Sequence, residues 1–290
     1  MKSRIAASIV LLVLSFALSA STVAGDLEDA QAAYDRGDYA TVLSIIRPMA
    51  AQGHAVAQFR LGAMYAEGKG VTQDYVQAAL WLRKAAEQGH AWAQTNLGVM
   101  YTKGQGVPQD YSEGARWLRQ AAEQGAAIAQ YGLGYLYEQG QGLPQDFAEA
   151  AKWYRLAADQ DFGYAEFNLA CLYANGLGVP QDYVEAAKWC GAAAEHGDAQ
   201  AQFNLGYMYA TGQGVSQDFV QAYMWFALAA AGAPPSERAK AEENLRRAEK
   251  LMTPAQIDEA KRRVRDWKPR EWQAKEVGGQ DETRIRERPE

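Results

Sequence analysis

The sequence predicts an all-α chain, a right-handed α/α solenoid of helical hairpins closed by C-terminal capping helices. Three observations predict it. One pattern is written five times in succession, at 54–89, 90–125, 126–161, 162–197 and 198–233, and a fixed period of this length marks an array of stacked supersecondary units. Each copy carries two stretches of apolar residues at helical spacing. Between them stand two glycines and then an aspartate, where one helix must stop and the next begin.

In the first copy Ala57, Leu61, Met64 and Tyr65 fall three and four residues apart, which puts them on one face of a short helix. Gly68 and Gly70 follow. A helix is left through backbone angles that a Cβ resists, so a turn is expected there. Asp74 with Gln77 three residues on has the form of a capping box: the Asp accepts from unpaired amides while the Gln reaches back, worth roughly 1 kcal/mol. The pair recurs as Asp110 and Glu113, Asp146 and Glu149, Asp182 and Glu185, and Asp218 and Gln221. It opens a second helix carrying Ala78, Trp81, Leu82, Ala85 and Ala86, closed by Gly89. The small Gly62 and Ala78 let two backbones approach while Trp81 and Tyr65 fill the seam. A helix of roughly a dozen residues is marginal alone, and one hairpin leaves an apolar face uncovered. The units must therefore stack on one another.

These residues also form a signature. The runs A-x-A-x-x-x-L-G-x-M-Y, G-x-G-V-x-Q-D-Y-x-x-A-x-x-W and A-A-E-x-G together resemble the Sel1-like repeat, a relative of the tetratricopeptide repeat. The resemblance covers Ala55 to about Gly232, with few departures: Ala170 stands where the other copies have Gly, and Gly114 where they have Ala. It implies Sel1-like, tetratricopeptide-like hairpins and a protein or peptide as partner.

Along the rest of the chain, Lys2 and Arg4 precede an apolar run from Ile5 to Leu18, and small residues follow to Ala24. Residues 1–24 read as a signal peptide cleaved after Ala24, which makes the protein periplasmic or secreted, with no membrane span in the mature chain. From 25 to 53, Ala33, Tyr34, Gly37, Asp38, Tyr39 and Val42 echo a hairpin without the two-glycine loop. This is a degenerate end unit, with Pro48 expected to end its second helix. Residues 234–267 read as two capping helices, one carrying Ala241, Leu245 and Ala248, the other opened by Thr253, Pro254 and Gln256 and carrying Ile257, Ala260 and Val264. From 268 to 290 apolar residues become scarce and charges alternate, so this stretch reads as a disordered tail.

The 29 Lys and Arg and 35 Asp and Glu are unevenly shared. From Pro234 onward there are 15 basic and 13 acidic residues, so between Gly25 and Gly232 12 basic residues face 22 acidic ones. Nucleic acid, held mainly by basic surfaces, is excluded as a partner on this ground.

Catalytic chemistry finds little support. His54, His90 and His196 sit at junctions between copies, with no Cys or acidic cluster at ligand spacing, so neither a metal nor a cofactor is expected. There is no nucleophile elbow and no phosphate-binding loop. The two cysteines, Cys171 and Cys190, fall in the fourth copy, one on each helix. A disulfide between them is geometrically open, and an exported compartment favours it. Two buried thiols are the alternative.

Slots that vary between copies are free of the frame's duties. On the first helix these are Val56, Trp92, Ile128, Tyr164 and Gln200; Phe59, Thr95, Tyr131, Phe167 and Phe203; and Ala63, Val99, Tyr135, Cys171 and Tyr207. They share a stripe. An adjacent slot reads Arg60, Asn96, Gly132, Asn168 and Asn204. By resemblance to tetratricopeptide relatives, this stripe lines a concave peptide-binding surface on which a row of Asn grips a ligand's backbone, an amide being both donor and acceptor. Trp92, Asn96, Tyr131, Tyr135, Tyr164, Asn168, Asn204 and Tyr207 are the candidate binding residues. For Phe59, Phe167 and Phe203, packing between units is the better reading. The chain thus reads as a non-enzymatic, exported adaptor or scaffold. The alternatives are a cell-wall or β-lactam-directed hydrolase of the kind described among cysteine-rich relatives, and a purely structural spacer.

Overall fold

The computed structural model describes residues 25–271, so the expected leader (1–24) and the tail from 272 lie outside the described residues. Among the described residues there are helices and turns and no strand. Helix α1 occupies 25–35. It is followed by α2 (Tyr39–Ala51), α3 (Ala55–Glu67), α4 (Tyr75–Glu87), α5 (Ala91–Lys103), α6 (Tyr111–Glu123), α7 (Ala127–Gln139) and α8 (Phe147–Ala158). Then come α9 (Gly163–Asn175), α10 (Tyr183–Glu195), α11 (Ala199–Thr211), α12 (Phe219–Gly232), α13 (Pro235–Glu249) and α14 (Pro254–Asp266). Each 36-residue copy is one helix pair. The chain divides after Asp110 into two compact units.

The first unit has its own core, in which Ala30 and Ala33 of α1 and Val42, Leu43 and Ile46 of α2 pack with Leu61 and Met64 of α3. Pro48 does not end α2; it lies inside that helix, and its carbonyl accepts from Gln52 N at 3.0 Å. In the last turn a proline forfeits a single ladder bond, and burial of the neighbouring Met49 and Ala50 carries the helix on.

The second unit holds α6 to α14 around a core that includes Tyr154, Leu169, Leu172, Trp189, Cys190 and Leu205. Its capping helices α13 and α14 both pack on α12. Thr253 opens α14 with a complete capping box to Gln256.

The repeated loop obeys a common logic. The first glycine, at 68, 104, 140, 176 and 212, takes the left-handed conformation that closes the first helix. The following Gln then reaches back: Gln73, Gln145 and Gln181 donate to Ala66 O, Glu138 O and Ala174 O, each at 2.8 Å. Next, Asp74, Asp146, Asp182 and Asp218 each accept from two amides of the helix they open. The other half of the expected capping box is not made there. Glu185 instead accepts from Trp189 Nε1 at 3.0 Å, and Glu149 pairs with Lys152. A side chain one turn away, charged or aromatic, outcompetes the backbone amide for these carboxylates.

The second glycine of the loop meets the preceding copy. A Cβ at Gly178 would collide with the backbone of Phe147, the first residue of α8. Gly214 stands in the same relation to Tyr183, and in the first unit Gly106 to Tyr75. The residue expected to serve a turn is thus a contact between successive hairpins.

Candidate functional site

The stripe is best formed in the second unit. Tyr135 on α7, Tyr164 on α9 and Tyr207 on α11 are 42%, 38% and 49% exposed, unusual for large aromatic side chains on helices that otherwise bury one face. Tyr131 lies between them and the core. Its ring meets those of Tyr154, Phe162 and Tyr164 at 5.8, 5.4 and 6.0 Å.

Polar groups tie this cluster together. The Tyr154 hydroxyl donates to Glu138 Oε2 at 2.5 Å, and the Asn168 amide lies beside both the Tyr131 and the Tyr154 hydroxyls. Burial, followed by the neighbouring charge of Tyr135 and Glu138, raises the Tyr131 phenol above its usual range. Burial and the bond to Glu138 do the same for Tyr154. Both hydroxyls are therefore neutral at physiological pH and available as hydrogen-bonding groups.

The expected asparagine row is less open than the stripe. Asn168 faces the Tyr131 hydroxyl, and Asn204 accepts from Gln200 Nε2 at 3.2 Å. Asn96 is half-buried on α5 of the first unit. Trp92, on the same helix, departs from expectation: it is 6% exposed, an interior side chain rather than part of an open surface. Its slot has the spacing of the stripe, but periodicity on one helix does not say how deeply each slot is covered.

The bridge left open between Cys171 and Cys190 is not formed, and both thiols are free. Cys190 Sγ donates to Ala201 O at 3.2 Å. Burial pushes Cys171 up to about 11 and Cys190 up to about 12, so neither is a ready nucleophile.

Two further features were not expected. A groove of about 860 Å³ opens between α10, α12 and α14, lined in part by Gly191, Tyr209, Trp225, Arg262 and Trp267. At the earlier junction Arg155 bonds the Tyr173 hydroxyl; at this one the same slot holds Gly191, which leaves Tyr209 without that arginine. The second feature is a cluster of Asp161, Glu166 and His196, whose potential ligand atoms lie within 4.8 Å of one another. Burial, then the charge of Asp161, pushes Glu166 up to about 7. His196 is 30 and 35 residues from Glu166 and Asp161 in sequence, roughly one repeat, so the fold makes it their neighbour. Of the other histidines, His90 is buried, stacks on Phe59 at 4.6 Å and accepts from Ala93 N, and burial lowers it to about 4.

Short hairpins sharing one frame, with a variable aromatic stripe on the first helices, define an α/α-solenoid scaffold, generally a protein-interaction fold. The Sel1 repeat profile matches at residues 55–90, 93–125, 127–162, 163–198 and 199–233. The chain belongs to the Sel1 repeat family. Among solved structures it is similar to c5321, a protective antigen present in uropathogenic Escherichia coli strains displaying an SLR fold, with 34% identity over 84% of this chain and a TM-score of 0.74. The chain spans about half of that antigen's length, 53%. It is also similar to a Sel1 repeat protein from Oxalobacter formigenes, with 34% identity, a TM-score of 0.67, and 72% of this chain and 86% of that one covered. No curated protein sequence matches it.

Proposed function

We propose that the protein is an exported, non-catalytic scaffold that binds another protein or a peptide along the aromatic stripe of α7, α9 and α11. One observation carries the reading. Tyr135, Tyr164 and Tyr207 are exposed at a cost in apolar surface that packing within the fold does not require. Each ring combines apolar area with a polar tip and few rotatable bonds, which suits a contact surface. Their neighbours Tyr131, Asn168 and Tyr154 are locked by packing and hydrogen bonds, so the surface behind them is preorganised. Among the described residues no helix is long and apolar enough to cross a membrane. The leader pattern of residues 1–24 and the likeness to a protein described as a protective antigen support export, and an exported scaffold meets its partner in the cell envelope or outside it.

The test is site-specific photocrosslinking in the native host, with a photoreactive residue in place of Tyr135 or Tyr207. The expected result is one crosslinked partner, lost when Tyr164→Ala and Asn168→Ala are combined in a chain of unchanged helicity. Crosslinks that are absent, or indifferent to those substitutions, overturn the reading.

A further inference from the structure

Comparison of the copies with one another isolates a place where the frame is broken three times. The fifth residue of each copy is Gln58, Gln94, Gln130, Glu166 and Gln202. In four copies this buried amide donates to a helix carbonyl eight residues earlier, Ala50, Ala86, Ala122 or Ala194, at 3.1 or 3.2 Å. A carboxylate cannot do so. The penultimate residue of the first four copies is Gln88, Gln124, Gln160 and His196. Gln88 and Gln160 donate to Gln58 and Gln130 at 2.7 and 2.8 Å, so the pair that is amide on amide elsewhere is His196 on Glu166 here. The residue before each copy is Gly53, Gly89, Gly125, Asp161 and Gly197. All five have positive φ, and Asp161, at 67°, is the one non-glycine residue in that region among those described. Asp tolerates this conformation better than most residues, yet it is still disfavoured against Gly.

The three substitutions converge. His196 Nε2 lies 3.5 Å from Asp161 Oδ1 and 3.7 Å from Glu166 Oε2. Glu166 is 2% exposed, and its Oε2 and His196 Nε2 are both buried with no hydrogen-bond partner. His196 Nδ1 lies 2.9 Å from the Arg270 carbonyl, which can only accept, so the proton sits on Nδ1. In the neutral ring Nε2 then turns its lone pair towards the two carboxylates. A backbone acceptor on the far nitrogen is the arrangement that orients a metal-binding imidazole. Zinc bonds of about 2.0 Å at tetrahedral angles set ligand atoms about 3.3 Å apart, close to two of the three separations here. The remaining gap, between Asp161 and Glu166, closes by movement of Asp161, whose side chain is 42% exposed.

We propose that Asp161, Glu166 and His196 form a binding site for a divalent transition-metal ion, with Zn²⁺ best suited to this one-nitrogen, two-oxygen set. Three protein ligands leave a fourth position for water or for a partner's side chain. Arg270, now 3.1 Å from Asp161 Oδ1, is displaced to the other carboxylate oxygen when the ion arrives. The site lies at the junction between α8, α9 and α10 and engages the segment after α14, whose Arg270 amide donates to Glu195 O at 2.7 Å.

The test is titration of the metal-stripped full chain with ZnSO₄ by calorimetry, with the Co²⁺ absorption spectrum as second readout. The expected result is one ion per chain, a rise in thermal midpoint, and an intense visible band of tetrahedral Co²⁺. Glu166→Gln, His196→Gln and Asp161→Gly install the residues of the other copies, so each is expected to fold; each should abolish the one-to-one step and the Co²⁺ band. Absence of a one-to-one step in the native chain overturns the proposal and leaves an ion-pair cluster. So does a step that survives His196→Gln or Glu166→Gln.

Discussion

Ala170 and Cys190 are a compensated pair, and that can be measured. In the first hairpin a Cβ built at Gly62 lies 2.8 Å from Leu82 Cγ; at Gly134 it lies 2.8 Å from Tyr154, and at Gly206 2.9 Å from Phe226. Carbon atoms in contact sit about 3.5–4.0 Å apart, so a methyl group in this slot overlaps the facing side chain by about 1 Å. The fourth copy carries that methyl, as Ala170, and its facing slot holds the small Cys190; both are buried. Cys190→Leu alone recreates the collision and should cost about 1–3 kcal/mol. Ala170→Gly alone opens a methyl-sized void and weakens the helix, for about 2 kcal/mol together. The two combined restore the pair of the first hairpin and keep only the helix penalty of about 1 kcal/mol. Urea unfolding followed by far-ultraviolet circular dichroism and by tryptophan fluorescence should therefore give a coupling of about 2–4 kcal/mol, well beyond the additivity error of about 0.5 kcal/mol. If the double substitution costs the sum of the singles, steric compensation is refuted.

Three further outcomes follow from the same contacts. Gly178→Ala combines a disfavoured φ of +67° with a collision against Phe147 backbone, and should lose about 2–5 kcal/mol in urea unfolding, against about 1–2 kcal/mol for Gly176→Ala, whose nearest contact is a Gln181 side chain; equal losses would show that no inter-hairpin contact is at stake. Glu166 is held above its usual value of 4.5, at about 7, with Asp161, His196 and Arg270 facing it. The folded chain then binds the extra proton, so its contribution is neutral below about pH 4.5, turns unfavourable as pH rises, and is complete above about pH 7, for roughly 3 kcal/mol. In the presence of chelator, Glu166→Gln should stabilise the chain at pH 8 and leave it unchanged at pH 4, and a gain independent of pH would contradict the assignment. Tyr135→Ala with Tyr207→Ala should move the thermal midpoint little, since surface substitutions stay within about 0.5 kcal/mol, while removing the partner crosslinked through a photoreactive residue in place of Tyr164; a large loss of stability would mean that these rings serve the fold.

Much of the architecture was legible because it is written in short-range patterns. The spacing of Ala57, Leu61 and Met64 and the Asp at 74 each act within one helix or one cap, and the structure has α3 and α4 where those residues put them. Gln73 was visible as a recurring letter without a reason, since its acceptor, Ala66 O, lies across a loop whose path the sequence does not state. Gly70 looked like a turn residue, yet a Cβ there would strike Tyr39, a residue of the preceding hairpin. Of the stripe, Tyr135, Tyr164 and Tyr207 stand exposed and Trp92 is buried, because a helical period locates a face but not the depth to which its neighbours bury it. The Asp161, Glu166 and His196 cluster had a signal that reading along the chain misses. Reading down the columns of the repeat shows three frame positions changed at one junction.

The departures in and beside the fourth copy divide into two kinds, and the division bears on function. Ala170 for Gly and Cys190 for a large residue offset each other in volume, so the pair leaves the packing of α9 on α10 as tight as in other hairpins and asks for no explanation outside the core. Asp161 for Gly, Glu166 for Gln and His196 for Gln are offset only in part, by the ion pair of Asp161 with Arg270, the bond from His196 to the Arg270 carbonyl and the room that Gly163 leaves for the His196 ring. They place a side chain at positive φ, remove a buried donor and leave two buried polar atoms without partners. An array that elsewhere satisfies this junction with two amides and a glycine has a cheaper solution at hand. Strain and lost hydrogen bonds that such contacts do not make good are expected where a ligand completes the structure. The same comparison argues that the cysteines are packing residues, and that chemistry at this junction belongs to the histidine and the two carboxylates.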